Sequence, residues 1–389
     1  MRFRIQTLNN ISARGLERLP RDRYDIAPDI ADPHGILVRS ADMHSMVVPE
    51  SVLAVGRAGA GTNNIPVAAL SKRGVPVFNA PGANANAVKE LVLASLFLAA
   101  RNICQAWDFA RSLEGDDEAI DKAVEAGKKK FVGFEIPGRT LGVVGLGAIG
   151  VHVANSAHAL GMKVLGYDPQ ITVQRAWQLS SNVEQALSLD DLFARSDVVT
   201  VHVPLTNDTR GLVNAARLKL MKKSGVVLNF SRAAIVDDQA IIAALDDGRL
   251  HAYVCDFPKN ALKSHPKVIT LPHLGASTGE AEENCAVMVA DTLRDFLENG
   301  NIRNSVNYPE AVLPRAPNTA RLAIANSNVP NMVGQISTCL ASAGLNIADL
   351  LNKSRGEYAY TLIDADGAVP EELVARIRAI DGVLSARLV

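Results

Sequence analysis

Apolar residues in this chain fall in short bursts separated by stretches of helical period, rather than in long blocks. Gly35–Arg39, Leu53–Gly56 and Val75–Phe78 are such bursts, each closed by turn or polar positions, and the opening residues through Leu8 read as one more strand. Bursts alternating with helix-length segments predict a parallel sheet covered by helices, because strands buried on both faces lose the in–out alternation of a half-exposed sheet. Val88–Ala110 predicts one long helix. The charged segment 115–130, with its basic end at Lys128, Lys129 and Lys130, predicts a solvated helix and loop.

A second alternating series starts at Thr140 and runs to about Cys285. Its strands are expected at Leu141–Val144, Lys163–Tyr167, Val198–Val203, Val226–Asn229, His251–Cys255 and Val268–Leu271, with a helix over 281–299 to follow. Six strands with helices between them fit a doubly wound nucleotide-binding sheet. Pro309, Pro314 and Pro317 then fall within eleven residues, a linker composition. Beyond it Arg321–Ser327, Asn346–Lys353, Tyr358–Asp364 and Val383–Val389 read as strands, and Asn331–Ala343 and Glu371–Ile380 as helices. That order, βαββαβ, is the split ferredoxin-like arrangement. It carries no catalytic constellation, so regulation or assembly is its expected role.

Composition narrows the picture by exclusion. The chain has 389 residues, enough for two or three domains at about 150 residues each. Its 40 basic and 41 acidic residues leave a net charge of -1, which removes any global case for nucleic acid or an anionic membrane. Apolar residues at 48% and charged residues at 21% are an ordinary globular balance. Cys104, Cys255, Cys285 and Cys339 are scattered without metal-ligand spacing, so reduced thiols are expected, and neither a metal nor disulfides. The longest apolar run, Leu91–Ala100, is about half of what a bilayer requires, and the opening residues lack a signal-peptide core. A cytoplasmic location is the expectation.

One motif names a cofactor class. Gly145-Leu-Gly147-Ala148-Ile149-Gly150 follows an apolar strand and opens a helix. The first glycine permits a tight turn, the second lets backbone approach a pyrophosphate, and the third allows close helix–strand packing. The next strand ends in Asp168, 18 residues after Gly150, where a carboxylate accepts ribose hydroxyls and repels a 2′-phosphate. NAD is therefore expected over NADP. The plainer reading, that Asp168 only starts the turn before Pro169, needs the glycines to be coincidental too.

Ligands of open α/β sheets sit beyond the carboxyl ends of the strands. Those ends present His202, Ser231, Arg232, Asp256 and His273. Hydride exchange at the 2-position of a 2-hydroxy acid needs a cation for the carboxylate or carbonyl oxygen and an acid–base group for the alkoxide. Arg232 supplies the first and His273 the second. His202 reads as structural or as a lining of the cofactor cleft.

The fingerprint, Asn229-Phe-Ser-Arg232-Ala-Ala-Ile-Val-Asp237 and Pro272-His273-Leu-Gly-Ala-Ser-Thr together resemble the D-isomer-specific 2-hydroxyacid dehydrogenases over nearly the whole catalytic part. Within that family Val38-Arg39-Ser40-Ala41, the stretch from Gly56 to Ile65 and Phe78-Asn-Ala-Pro81-Gly-Ala-Asn84 are similar to the branch acting on 3-phosphoglycerate and 3-phosphohydroxypyruvate in serine biosynthesis. The resemblance implies NAD contacts at Ala148, Ile149, Pro204, Phe230, Ser231, Asp256, Gly275 and Ala276, besides the glycines and Asp168. It implies a substrate pocket of Arg39, Ser40, Arg57, Gly59 and Asn84, with the arginines matched to a phosphate. The C-terminal unit is similar to an ACT domain, which implies a serine effector at Asn326, Asn328 and Asn346. The usual Pro-Gly of that module stands here as Pro330-Asn331.

One departure concerns catalysis. The family's glutamate that orients the catalytic histidine is matched here by Asn260, so an amide is expected in the catalytic set beside Arg232 and His273. Glu280 and Glu282 are other acids near His273 in sequence. A hydroxypyruvate or glyoxylate reductase is the alternative within the same chemistry, and a non-catalytic NAD sensor the alternative outside it.

The expected layout is two Rossmann-like doubly wound parallel-sheet domains plus the ferredoxin-like unit. Residues 1–95, completed by about 285–308, form the substrate domain, and 96–284 the NAD domain. A linker at 309–319 leads to a separate regulatory unit at 320–389. Hinges near 90–110 and 281–299 would let a cleft close. The apolar character of Val88–Ala110 suits either a dimer contact or a buried core helix, so a homodimer or homotetramer is expected.

Overall fold

The computed structural model describes residues 2–389, which divide into two compact units, Ala85–Thr278 and residues 2–84 together with Gly279–Val389. The unit Ala85–Thr278 holds seven strands in the order Val268–Thr270, Leu250–Cys255, Gly225–Asn229, Val198–Val201, Thr140–Val144, Lys163–Tyr167 and Val183–Gln185. Every neighbouring pair is parallel. The chain starts in the middle, winds to one edge, then returns to build the other half. The switch point therefore lies between Thr140–Val144 and Val198–Val201, where this topology opens a crevice at the carboxyl ends. Val226 and Leu228 enter one core while Val227 enters the opposite one, which is why the run reads as continuously apolar.

All six expected strands of this sheet form. The seventh, Val183–Gln185, went unread because it is an edge strand with Glu184 and Gln185 exposed, leaving no apolar run to detect. The single helix expected over Val88–Ala110 breaks into Ala85–Ala100 and Ile103–Arg111, with Asn102 in the left-handed region at φ 51°. Asparagine tolerates that conformation better than most residues. The first piece buries Val88, Val92, Leu96 and Ala99 at helical spacing in the core, whereas the second buries nothing and leaves Trp107 exposed. Asp117–Gly127 is a solvated helix capped by Asp116, whose side chain accepts the Ala119 amide at 2.9 Å.

In the other unit a five-stranded parallel sheet runs in the order Tyr24–Ala27, Phe3–Leu8, Gly35–Val38, Ala54–Arg57, Val77–Phe78. The 21-residue helix Gly279–Asn299 packs Val289, Leu293 and Phe296 with Ile5, Leu37 and Phe78. Ile36, Val38, Val55, Leu70 and Val77 fill a second core.

The C-terminal strands form an antiparallel sheet in the order Ile347–Arg355, Tyr358–Asp366, Thr319–Ser327, Val383–Leu388. Helices Met332–Ser342 and Glu371–Arg378 pack against Leu322, Ile324 and Ile363 of this sheet. The βαββαβ order is as read, but the segment is not separate. Ala323, Ala325, Tyr360 and Leu362 join the same core as Phe78, Phe296, Leu297 and Tyr308. The expected linker is likewise structured: Tyr308 is fully buried and donates to the Ser71 carbonyl at 2.7 Å, and Ile302 and Ala311 form a bridge.

Arg321 locks this junction. It is fully buried, as is its partner Asp364, and the pair is bidentate with both contacts at 2.6 Å. The same guanidinium donates to the carbonyls of Asn299, Leu313 and Pro314. Burial pushes the Asp364 carboxyl up. The Arg321 hydrogen bonds, the Ala316 amide and the charges of Arg321 and Arg315 outweigh that and hold it below its ordinary value. No helix among the described residues is long and apolar enough to cross a membrane, and no group of three side chains there could hold a metal ion.

Candidate active site

The fingerprint loop starts where strand Thr140–Val144 ends. Gly145 has φ 89°, and a β-carbon there would lie 2.6 Å from the His202 carbonyl oxygen. A β-carbon on Gly150 would sit 1.9 Å from the Gly145 oxygen, so helix Ala148–Ala159 leaves no room for one. Gly147 differs: it is exposed, and nothing lies within 4 Å of where its β-carbon would be. Two glycines thus serve packing, and one leaves open space beside a helix N-terminus. Asp168 closes the loop by accepting the Leu146 amide at 2.8 Å and the Gln170 amide at 2.9 Å. Its carboxylate retains further acceptor positions for hydroxyl donors. This geometry fits a dinucleotide.

Other expected cofactor contacts line the same strand ends. Ala148 and Ile149 are half-buried in the first helical turn, and Pro204 and Ala276 are exposed. Phe230 is nearly buried in the core, and the Ser231 hydroxyl donates to the Val201 carbonyl at 2.7 Å. His202 bonds Thr200 Oγ1 through Nε2 at 2.9 Å, while its buried Nδ1 has no partner. Burial pushes this imidazole down to about 3, so it stays neutral and carries no charge at physiological pH.

Arg232 follows the strand Gly225–Asn229 on an extended loop braced by buried Asn229, which accepts the Ser231 amide at 3.2 Å and donates to the Arg232 carbonyl at 3.0 Å. The guanidinium is exposed and forms no ion pair among the described residues. His273 sits in a left-handed turn at φ 57°, an uncommon conformation for a residue with a β-carbon. Asp256 holds that turn, its two buried oxygens accepting the amides of Leu274 at 2.7 Å and Gly275 at 2.8 Å. Expected as a cofactor contact, Asp256 is first of all the anchor of the histidine loop, and buried Gly275 is part of what it anchors.

Asn260 does not hold the histidine. It is exposed and makes no hydrogen bond to the imidazole. Phe257 stands beside the imidazole instead, its ring edge-on with centroids 5.4 Å apart and planes at 75°. Such aromatic pairs contribute about 0.5–1.5 kcal/mol beyond burial, enough to bias a ring's orientation. Asn260→Ala should therefore change kcat by less than about twofold, given its exposure. A tenfold loss in steady-state turnover would restore Asn260 to the catalytic set.

In the other unit, Arg39 follows strand Gly35–Val38 and Arg57 ends the adjacent strand Ala54–Arg57, with Val38 paired to Arg57 in register. Arg57 Nε donates to the Arg39 carbonyl at 3.1 Å. Gly59 makes space for it, since a β-carbon there would meet the Arg57 guanidinium at 1.7 Å. Arg39 is ion-paired with Glu282, in the first turn of helix Gly279–Asn299. Glu282, considered above as a partner for His273, is thus engaged by an arginine. Ser40 is exposed and Asn84 half-buried.

The three asparagines of the C-terminal unit do not meet. Asn326 is buried, donating to the Ser327 carbonyl at 2.8 Å, with its Oδ1 unpartnered. Asn328 donates to Gly356 O at 3.0 Å, beside the start of strand Tyr358–Asp366, whereas Asn346 donates to Asp366 at 2.8 Å, at its far end. That strand separates them by roughly 25 Å at its ordinary rise. Asn331 keeps, at φ 66°, the left-handed backbone a glycine would take.

The family model for the D-isomer specific 2-hydroxyacid dehydrogenase NAD binding domain matches residues 93–275. A D-3-phosphoglycerate dehydrogenase of Haemophilus influenzae is 32% identical over 381 residues, 94% of this chain and 89% of that protein. One from Escherichia coli K12 is 34% identical over 383 residues with the same two coverages. The chain belongs to the D-isomer specific 2-hydroxyacid dehydrogenase family. Solved structures agree in fold: a D-mandelate dehydrogenase of Rhodotorula graminis has TM-score 0.68 at 24% identity, over 81% of this chain and 100% of that one. An NAD+-bound 3-phosphoglycerate dehydrogenase of Entamoeba histolytica has TM-score 0.60 at 24% identity, over 79% and 99%. For this 2-hydroxyacid dehydrogenase the partnerships unread from sequence are those of Asn229 with the Arg232 loop, Phe257 with His273 and Glu282 with Arg39, and the bracing part played by Asp256. Asn229, Asp256 and Phe257 carried a local signal, falling at or just beyond the carboxyl end of a strand.

Proposed function

We propose that this chain oxidises 3-phosphoglycerate to 3-phosphohydroxypyruvate with NAD, the step that feeds serine biosynthesis. The observation that carries the reading is the pair Arg39 and Arg57 at neighbouring strand ends, cationic provision that an unphosphorylated 2-hydroxy acid does not need. The open backbone at Gly147, the N-terminus of helix Ala148–Ala159 and Asp168 would hold the pyrophosphate and ribose. NAD bound there supplies the hydride acceptor for the 2-carbon. Arg232, exposed and without an acid partner, takes the substrate carboxylate and polarises the oxygen at the 2-position. His273 removes the hydroxyl proton during oxidation and returns it in the reverse direction.

The test is NADH oxidation followed with 3-phosphohydroxypyruvate, hydroxypyruvate and glyoxylate. A preference of about a hundredfold in kcat/KM for the phosphorylated acid is expected, less than a fully desolvated polar site achieves because the arginines are partly exposed. Preference for the unphosphorylated acids would make the chain a hydroxypyruvate or glyoxylate reductase. NADH binding without turnover would make it a sensor.

A cytoplasmic homodimer or homotetramer goes with this reading. On the nucleotide-binding unit Phe97 and Leu160 line a groove of about 300 Å³, and Ile103 and Trp107 stay exposed nearby in sequence. A monomer in sedimentation would exclude it. Serine as effector at Asn326, Asn328 and Asn346 requires two copies, because one chain keeps these residues at opposite ends of a strand. Serine added to the same assay without effect would remove that role.

A further inference from the structure

We infer that Glu282 is an internal competitor for the anionic end of the substrate, so that it sets the affinity for phosphorylated acids. The inference rests on the phosphate reading of Arg39 and Arg57 given above. Arg39 and Glu282 are ion-paired with side chains 40% and 41% exposed, so the contact is open to solvent and to an incoming anion. Glu282 is the ionic partner of Arg39, and it uses the guanidinium edge that a phosphate would bind. Arg57 donates to the Arg39 carbonyl at 3.1 Å from the adjacent strand, which puts two cations and one anion in one neighbourhood.

A dianion approaching these arginines has two courses, and each is costly because Glu282 is present. If it displaces the carboxylate, the Arg39 ion pair must open. If it binds beside the carboxylate, like charges are brought together. The displaced carboxylate is not stranded, because it lies in the first turn of a 21-residue helix, where the helix dipole favours negative charge. The exchange is therefore accessible, and its cost appears as weaker substrate binding rather than as a slower chemical step.

The test is Glu282→Gln, an isosteric change at an exposed position that removes the charge and keeps the shape. KM for 3-phosphohydroxypyruvate should fall by about three- to tenfold, the scale of a partly exposed ion pair plus relief of repulsion. The gain should lie in KM and not in kcat. The inhibition constant of inorganic phosphate against that substrate should fall in parallel, while KM for hydroxypyruvate moves less than about twofold. A raised KM for the phosphorylated acid would mean that Glu282 orients Arg39, and an unchanged one that the pair is irrelevant to binding; either overturns the inference and leaves the phosphate reading intact. A wild-type protein that neither prefers the phosphorylated acid nor is inhibited by phosphate overturns the phosphate reading itself, and the inference with it.

Discussion

Replacing His273 by glutamine lowers kcat by about 10²- to 10⁴-fold, the usual contribution of a positioned acid–base group. NADH affinity, read from nicotinamide fluorescence, stays within a few-fold because the fingerprint loop and Asp168 are built from other segments of the unit. His202, the other histidine at a strand end, is no substitute. It is held neutral by burial, its pKa pushed down to about 3, and it is tied to Thr200. The change also preserves the loop, since the anchoring bonds run from the Leu274 and Gly275 amides to Asp256 and do not involve the ring. A loss smaller than tenfold, with the fold intact by circular dichroism, would show that the proton leaves by another route.

Asp364→Ala destabilises the unit it belongs to by about 3–5 kcal/mol, because it leaves the fully buried Arg321 without its carboxylate. That corresponds to a drop on the order of 10 °C in melting temperature. Replacing both partners by apolar residues, Arg321→Met with Asp364→Leu, should recover much of the loss, since the cost lies in the unpaired charge. The pair also makes stability depend on pH. The folded carboxyl lies below its ordinary value, so its contribution is complete above the unfolded value near 3.9 and is lost as pH falls through the folded one. Denaturant titrations of wild type and Asp364→Ala should therefore converge in strong acid and stay apart at neutral pH. A difference below about 1 kcal/mol at pH 7 would show that the junction is held by its apolar contacts alone.

Further contacts tie the C-terminal unit to that junction. Tyr360 donates to the Gly300 carbonyl at 2.7 Å and Ser385 to the Gly74 carbonyl at 3.2 Å, besides the shared core around Phe296. The C-terminal unit is thus part of the body that carries Arg39 and Arg57.

How much of this was legible in the sequence depended on the range of the forces involved. The cofactor loop was readable because its requirements are local: a strand, a turn only glycine can make, a helix start, and an acid at the end of the next strand. Arg232 and His273 were expected from strand ends, where this sheet topology delivers side chains, and the structure places both just beyond a strand. The short edge strands Tyr24–Ala27 and Val183–Gln185 left no apolar run, so periodicity passed over them. The apolar stretch Leu322–Ala325 marked a strand, but not that its alternate residues enter two different cores. The tertiary structure alone decided the partnerships. Glu282 reaches Arg39 across 243 positions, Phe257 replaces the expected amide beside His273, and Arg321 ties carbonyls from a helix end and an apparent linker to Asp364. Local pattern fixes which elements form, because backbone geometry and burial act within a few residues. A charge or a ring takes whichever partner the packed chain brings within a few ångströms, and only the folded topology sets that distance.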